Sequence, residues 1–161
     1  MTPRPLADYI AAIEAGASAL PAGVRLWAEP GRALVAGGGS VVVQVQLRRG
    51  DTLYVNDGVY GNLSDAGALG FRFPARRIRL GDADDPEQGL ADFALFGPTC
   101  DSADRMGGPF RLPADMREGD WIELGQLGAY GACLRTGFNG FGRADLVEVG
   151  DPPMLTTPGF E

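Results

Sequence analysis

The feature that most limits the fold is a period-two run beginning at Val41. Val41, Val43, Val45 and Leu47 alternate with Val42, Gln44 and Gln46, the pattern of a strand with one buried face. Arg48-Arg49-Gly50-Asp51 reads as a turn, Thr52-Leu53-Tyr54-Val55 as the next strand, and Asn56-Asp57-Gly58 as a further turn before Val59-Tyr60. Short apolar stretches recur at 92–96, 110–112, 120–124 and 144–149, separated by Gly and Pro. Residues 76–80 alternate charged and apolar side chains, as on a solvated sheet face. Many short strands punctuated in this way predict a mainly β barrel or sandwich over residues 37–150.

The start of the chain reads differently. Leu6, Tyr9, Ile10, Ile13, Ala17 and Leu20 recur at helical spacing over Pro5–Leu20, and Pro21-Ala22-Gly23 ends the helix. Val24–Ala28 reads as a short strand closed by Glu29-Pro30-Gly31-Arg32. Helix, strand and a loop bearing Glu and Arg is how the last unit of an α/β barrel looks, with function at the strand's C-terminal end. One unit cannot close a barrel, so residues 1–36 are expected to be the remnant of a larger domain. Gly37-Gly38-Gly39 lacks the Lys-Ser/Thr of a P-loop and reads as a bend or bulge where the sheet begins. Residues 151–161 read as a loose tail.

Composition excludes several classes of function. The 161 residues carry a net charge of −7 and no basic run interleaved with aromatics, which argues against nucleic acid. No apolar run approaches the ~20 residues of a membrane span, and the N-terminus lacks the order of a signal peptide. The cytoplasm is therefore the expected compartment. Cys100 and Cys133 form no CxxC pair, so neither a disulfide framework nor a zinc knuckle is expected. The chain has no His, which excludes a Ser-His-Asp or Cys-His engine within it. All 14 basic residues are Arg; there is no Lys. The acidic stretch Gly81–Gly89, with Asp82, Asp84, Asp85 and Glu87, lacks EF-hand spacing and reads as a solvated loop, so no metal site is expected.

Four stretches could carry chemistry. Gly97-Pro98-Thr99-Cys100-Asp101-Ser102-Ala103-Asp104-Arg105 presents a thiol beside a carboxylate just after the apolar Phe93–Phe96. A lone Cys is usually a small buried apolar residue, yet Asp101, Asp104 and Arg105 crowd this one, and both readings stand. Glu29-Pro30-Gly31-Arg32 is either a turn with a surface ion pair or a functional strand tip. In the second case Arg32 suits a phosphate, and Glu29 could keep a heteroaromatic nitrogen protonated. Tyr130, set among small residues in 125–131, belongs to the core or points its hydroxyl at an anionic group. Thr136–Phe141 exposes aromatics, as an interface or a core edge would.

Taken together, residues 28–35, 54–61, 97–105, 119–130 and 138–141 resemble the C-terminal part of the fold-type III, pyridoxal-phosphate-dependent amino-acid decarboxylases. This is the ornithine/diaminopimelate/arginine group, and the chain looks most like its ornithine branch. The resemblance implies a C-terminal β-barrel or sandwich domain preceded by the last helix and strand of an incomplete α/β barrel. It implies that Glu29 pairs with the pyridine nitrogen of pyridoxal 5'-phosphate, and that Arg32 and Tyr130 hold the cofactor phosphate. Cys100 would return a proton to the substrate's α-carbon, and Asp101 would read its distal ammonium. In this family these two residues serve the partner subunit's site, so the resemblance implies a homodimer, or a dimer with a full-length decarboxylase, with Phe138 and Asn139 near the interface.

The family's Schiff-base lysine has no counterpart here, so the isolated chain is expected to be inactive, as a fragment or as a short gene product. Ornithine, converted to putrescine and CO₂, is the favoured substrate. Where family members often carry a Tyr-Asp pair, residues 62–67 read Asn-Leu-Ser-Asp-Ala-Gly, which leaves lysine or a longer diamino acid open. The competing readings are a catalytically dead dimerising module that regulates a full-length decarboxylase, and a β-barrel with no ligand.

Overall fold

A computed structural model describes residues 4–81 and 89–157. Two helices, α1 (Leu6–Ala17) and α2 (Arg32–Val35), precede six strands: β1 (Val41–Arg49), β2 (Thr52–Val55), β3 (Ala75–Ile78), β4 (Leu90–Phe96), β5 (Arg105–Pro113) and β6 (Trp121–Leu124). They form one sheet in the order β3-β6-β1-β2-β4-β5.

The period-two run becomes β1, and β1 organises the sheet. Its first half pairs antiparallel with β6, from Val41 opposite Leu124 to Gln44 opposite Trp121. Its second half turns at Gly50-Asp51 and pairs with β2. The pairing shifts register between Val45 and Leu47, where the strand changes partner; bulges of this kind bend a sheet. β2 and β4 run parallel, and the remaining pairs are antiparallel. The edge strands β3 and β5 lie against each other, so the sheet curls into a half-barrel. Val43, Val45, Leu53, Phe93, Leu95, Phe110, Ile122 and Leu124 fill it.

Three expectations change. Val24–Ala28 and Ala144–Val149 are not strands: neither has a neighbouring strand to take its backbone hydrogen bonds. Leu146, 89% exposed, and Val147 stand in solvent. The alternation at 76–80 does not mark a solvated face, because Arg77 points inward and is buried. Curling brings β3 against the turn after β5, where Asp115 pairs with both Arg77 and Arg79; Asp120 accepts two hydrogen bonds from Arg79, at 2.6 and 2.7 Å. A buried cation persists when carboxylates answer it. At Ala36–Gly38 a single 3-10 turn leads into β1, so of the two expected forms the chain takes the bend and not the bulge. Finally, the tail is not loose over its described part: Ala75 N–H donates to Thr157 Oγ1 at 3.2 Å, and Gln126 Nε2 to the Leu155 carbonyl at 2.8 Å. Residues 82–88 of the acidic stretch lie outside the described residues.

Outside the half-barrel, α1 forms over nearly the expected residues but buries none of them. Leu6, Ile10 and Ile13 are about half exposed, and Trp27 is 84% exposed. No described helix is long and apolar enough to cross a membrane.

Candidate active site

The Cys100 stretch is held by the buried carboxylate of Asp104. Asp104, 1% exposed, accepts the N–H of Val59 at 2.8 Å. It also accepts the N–H and the hydroxyl of Thr99, at 3.1 and 2.8 Å. Gly58 and Gly97 press on it so closely that a Cβ at either would stand 2.1 or 2.2 Å from Oδ1. Asp57 secures the facing turn in the same way, accepting the N–H of Gly58 at 2.7 Å and the side-chain amide of Asn62 at 2.6 Å. Two loops, 57–62 and 97–104, are thereby tied into one surface.

That lock decides the two readings of Cys100: the thiol is exposed, not packed in the core. Asn139 Nδ2 lies 3.7 Å from its sulfur. Asp101 accepts the hydroxyl of Tyr60 and, at 2.9 Å, the N–H of Ala103. The Tyr60 hydrogen bond, helped by that of Ala103, holds the Asp101 carboxyl below its ordinary value, while the same bond raises the Tyr60 hydroxyl above its own. The Tyr60 ring packs on Phe138 with centroids 4.5 Å apart. Asn139 adopts a left-handed backbone, φ 57°, which Asn tolerates better than most residues.

A second group forms around Arg32. Its guanidinium pairs with the buried Asp65, in the 3-10 turn Ser64–Ala66, and lies 4.8 Å from the ring centroids of both Tyr130 and Phe71. The flanking rings hold the cation in place. Tyr130 also has a left-handed backbone, φ 59°, uncommon for an aromatic residue; its phenol is half exposed, and the Ser64 hydroxyl donates to its carbonyl at 3.4 Å. Glu29, exposed, sits in the loop that leads to Arg32.

The structure therefore brings Arg32 together with Tyr130, and Cys100 and Asp101 together with Phe138 and Asn139. A cation and a phenol, both partly open to solvent, are a donor set that fits a phosphate; Asp65 occupies only part of the guanidinium fork. Glu29 is near Arg32 in the chain and makes no described side-chain contact. Sequence reasoning misses Tyr60 and Asp65. The signal for Tyr60 is Asn-Asp-Gly-Val-Tyr-Gly, a turn followed by a lone aromatic that the half-barrel does not bury. Asp65 has no signal beyond its acidic character.

Residues 37–128 match the family model of the pyridoxal-dependent decarboxylase C-terminal sheet domain. The chain belongs to this family. Among its relatives is mouse ornithine decarboxylase, 31% identical over 150 residues, covering 82% of this chain and 32% of the mouse protein. Antizyme inhibitor 2 of Xenopus laevis is 33% identical over 134 residues, covering 73% of this chain and 28% of that protein. The lysine/ornithine decarboxylase of Vibrio vulnificus complexed with cadaverine has the same fold, with a TM-score of 0.69 and 32% identity over 92% of this chain and 40% of that one. The chain thus spans about a third of the length of the curated relatives it matches.

Proposed function

We propose that this chain is the C-terminal part of a decarboxylase acting on ornithine, and that it contributes to two active sites of a dimer. The observation that carries this reading is the exposed Cys100 beside the partly exposed Asp101, fixed by Asp104 and Asp57 and built separately from the Arg32–Tyr130 group. Arg32 and Tyr130 hold the phosphate of pyridoxal phosphate, and Glu29 faces its ring nitrogen. When bound, that group supplies an electron sink for the pair left as CO₂ departs. Cys100 Sγ carries the proton that returns to the α-carbon, and Asn139 orients the thiol. Asp101, kept ionised, accepts the substrate's distal ammonium. Phe138 and Asn139 lie at the dimer interface, and Cys100 and Asp101 complete the partner's site. Support for ornithine comes from the mouse relative and from the Vibrio enzyme, whose name includes ornithine and lysine.

The chain has no lysine of its own and is inactive alone on this reading. Assembled with the lysine-bearing barrel of a family relative, it restores release of CO₂ from ornithine. In that assembly Cys100→Ala lowers kcat by about 100-fold or more and leaves cofactor affinity nearly unchanged. Arg32→Ala weakens cofactor retention first. Equal losses in both properties for Cys100→Ala would remove the proton-donor role; undiminished cofactor binding by Arg32→Ala would remove the phosphate contact.

A second reading is favoured by a specific observation: the same domain occurs in a relative named as an antizyme inhibitor, not as a decarboxylase. Here the chain pairs with a full-length decarboxylase and regulates it. Titrating the chain into such an enzyme separates the two readings, since the regulator lowers activity in proportion to dose.

A further inference from the structure

Tyr60 is assigned no part by the function proposed above, yet three features converge on it. Its hydroxyl donates to Asp101. Its ring packs against Phe138, 4.5 Å between centroids and tilted by 38°. Its backbone carbonyl accepts two hydrogen bonds from Thr136, from the N–H and from the hydroxyl, each at 2.9 Å. Thr136 in turn accepts the N–H of Phe138 at 3.2 Å and so starts the turn that delivers Asn139 to within 3.7 Å of the Cys100 sulfur.

One residue thus touches both arms of the site. We infer that Tyr60 is a positioning residue that sets the Asp101 carboxylate and the Cys100 thiol relative to each other, so that a substrate with a distal cation is held with its α-carbon at the sulfur. The inference rests on the proposed function for the identity of the substrate. The reason for one residue to do this is geometric. Asp101 and Cys100 are neighbours on a turn whose side chains are open to solvent, and a carboxylate there has free rotation unless a donor fixes it. The only other described donor to it is the Ala103 N–H, within the same turn. Tyr60 comes from a different loop, itself locked to Asp104 through the Val59 N–H. It therefore refers the orientation of Asp101 to the rigid half-barrel.

The two functions of Tyr60 separate by substitution. Tyr60→Phe removes the hydroxyl and keeps the ring, so it releases Asp101 but leaves the Phe138 contact and the Asn139 approach intact. Tyr60→Ala removes both. In the assembled decarboxylase, Tyr60→Phe is expected to raise KM for a diamino acid by about tenfold, with kcat changed less than about threefold. Tyr60→Ala is expected to lower kcat as well.

In the chain alone, a carbon-detected titration of the Asp101 carboxyl is expected to show a higher pKa in Tyr60→Phe than in the parent. Alkylation of Cys100, with Cys133 as internal control, is expected to quicken in Tyr60→Ala but not in Tyr60→Phe. A Tyr60→Phe variant with an unmoved Asp101 titration would overturn the inference, as would one whose kcat falls while KM stays put. An assembly in which the parent chain gives no activity would defeat the proposed function instead. The Asp101 titration and the Cys100 alkylation then still decide Tyr60.

Discussion

At the residue scale, the candidate site depends on a buried carboxylate that accepts hydrogen bonds from the protein's own backbone. Asp104 answers two backbone N–H groups and a hydroxyl while nearly fully buried, so replacing it strands donors away from water. Asp104→Ala is expected to lower the stability of the half-barrel by about 3 kcal/mol, read as the shift in urea midpoint. Gly97→Ala is expected to disturb the same carboxylate, because the added Cβ would stand 2.2 Å from Oδ1 and the loop must open. Both variants should expose Cys100 to faster alkylation, measured against Cys133. The sequence shows Asp101 and Asp104 as two similar acids three residues apart. Only the fold separates them, one buried as a structural acceptor and one open to a ligand, because Gly58 and Gly97 leave room for the first.

At the scale of elements, β3 shows how a strand's inner face can be misread. Its alternation of Arg and apolar residues is visible in the sequence, but the face that carries Arg77 turns inward when β3 meets the turn after β5. Burial alone pushes the Asp115 carboxyl up; the hydrogen bonds and charges of Arg79 and Arg77 outweigh it and hold the group below its ordinary value of 3.8. A folded-state value lowered in this way gives stability that is present above 3.8 and lost as pH falls through the folded value. The half-barrel is therefore expected to lose urea resistance on acidification below that point. Asp115→Asn should be less stable at neutral pH and show a shallower acid loss. An acid limb equally steep in parent and variant would place the titrating groups elsewhere. By contrast β1 behaves as its sequence requires. Val43 and Val45 face the core, and its bulge lets one strand serve two partners.

At the scale of the whole molecule, the core lies in the half-barrel and the N-terminal stretch adds nothing to it. Because α1 has no buried residue, removing residues 1–30 is expected to leave the urea midpoint of the sheet domain unchanged. The same truncation should reduce self-association in sedimentation, since it takes away Ile10, Ile13 and Trp27 as exposed apolar surface. The sequence by itself determined most of the strands that enter the sheet, the turns between them and the residue types able to hold a phosphate or present a thiol, because these follow from local periodicity and side-chain chemistry. It also pointed to the family, which the sheet-domain match over residues 37–128 bears out, while Arg32 and Tyr130 lie outside that match. What only the tertiary structure decided was which apolar stretches find a partner strand, which acids are buried, and that Tyr60 reaches Asp101. Those outcomes depend on contacts between residues far apart in the chain, such as positions 60 and 101 or 77 and 115, and no local pattern encodes such a meeting.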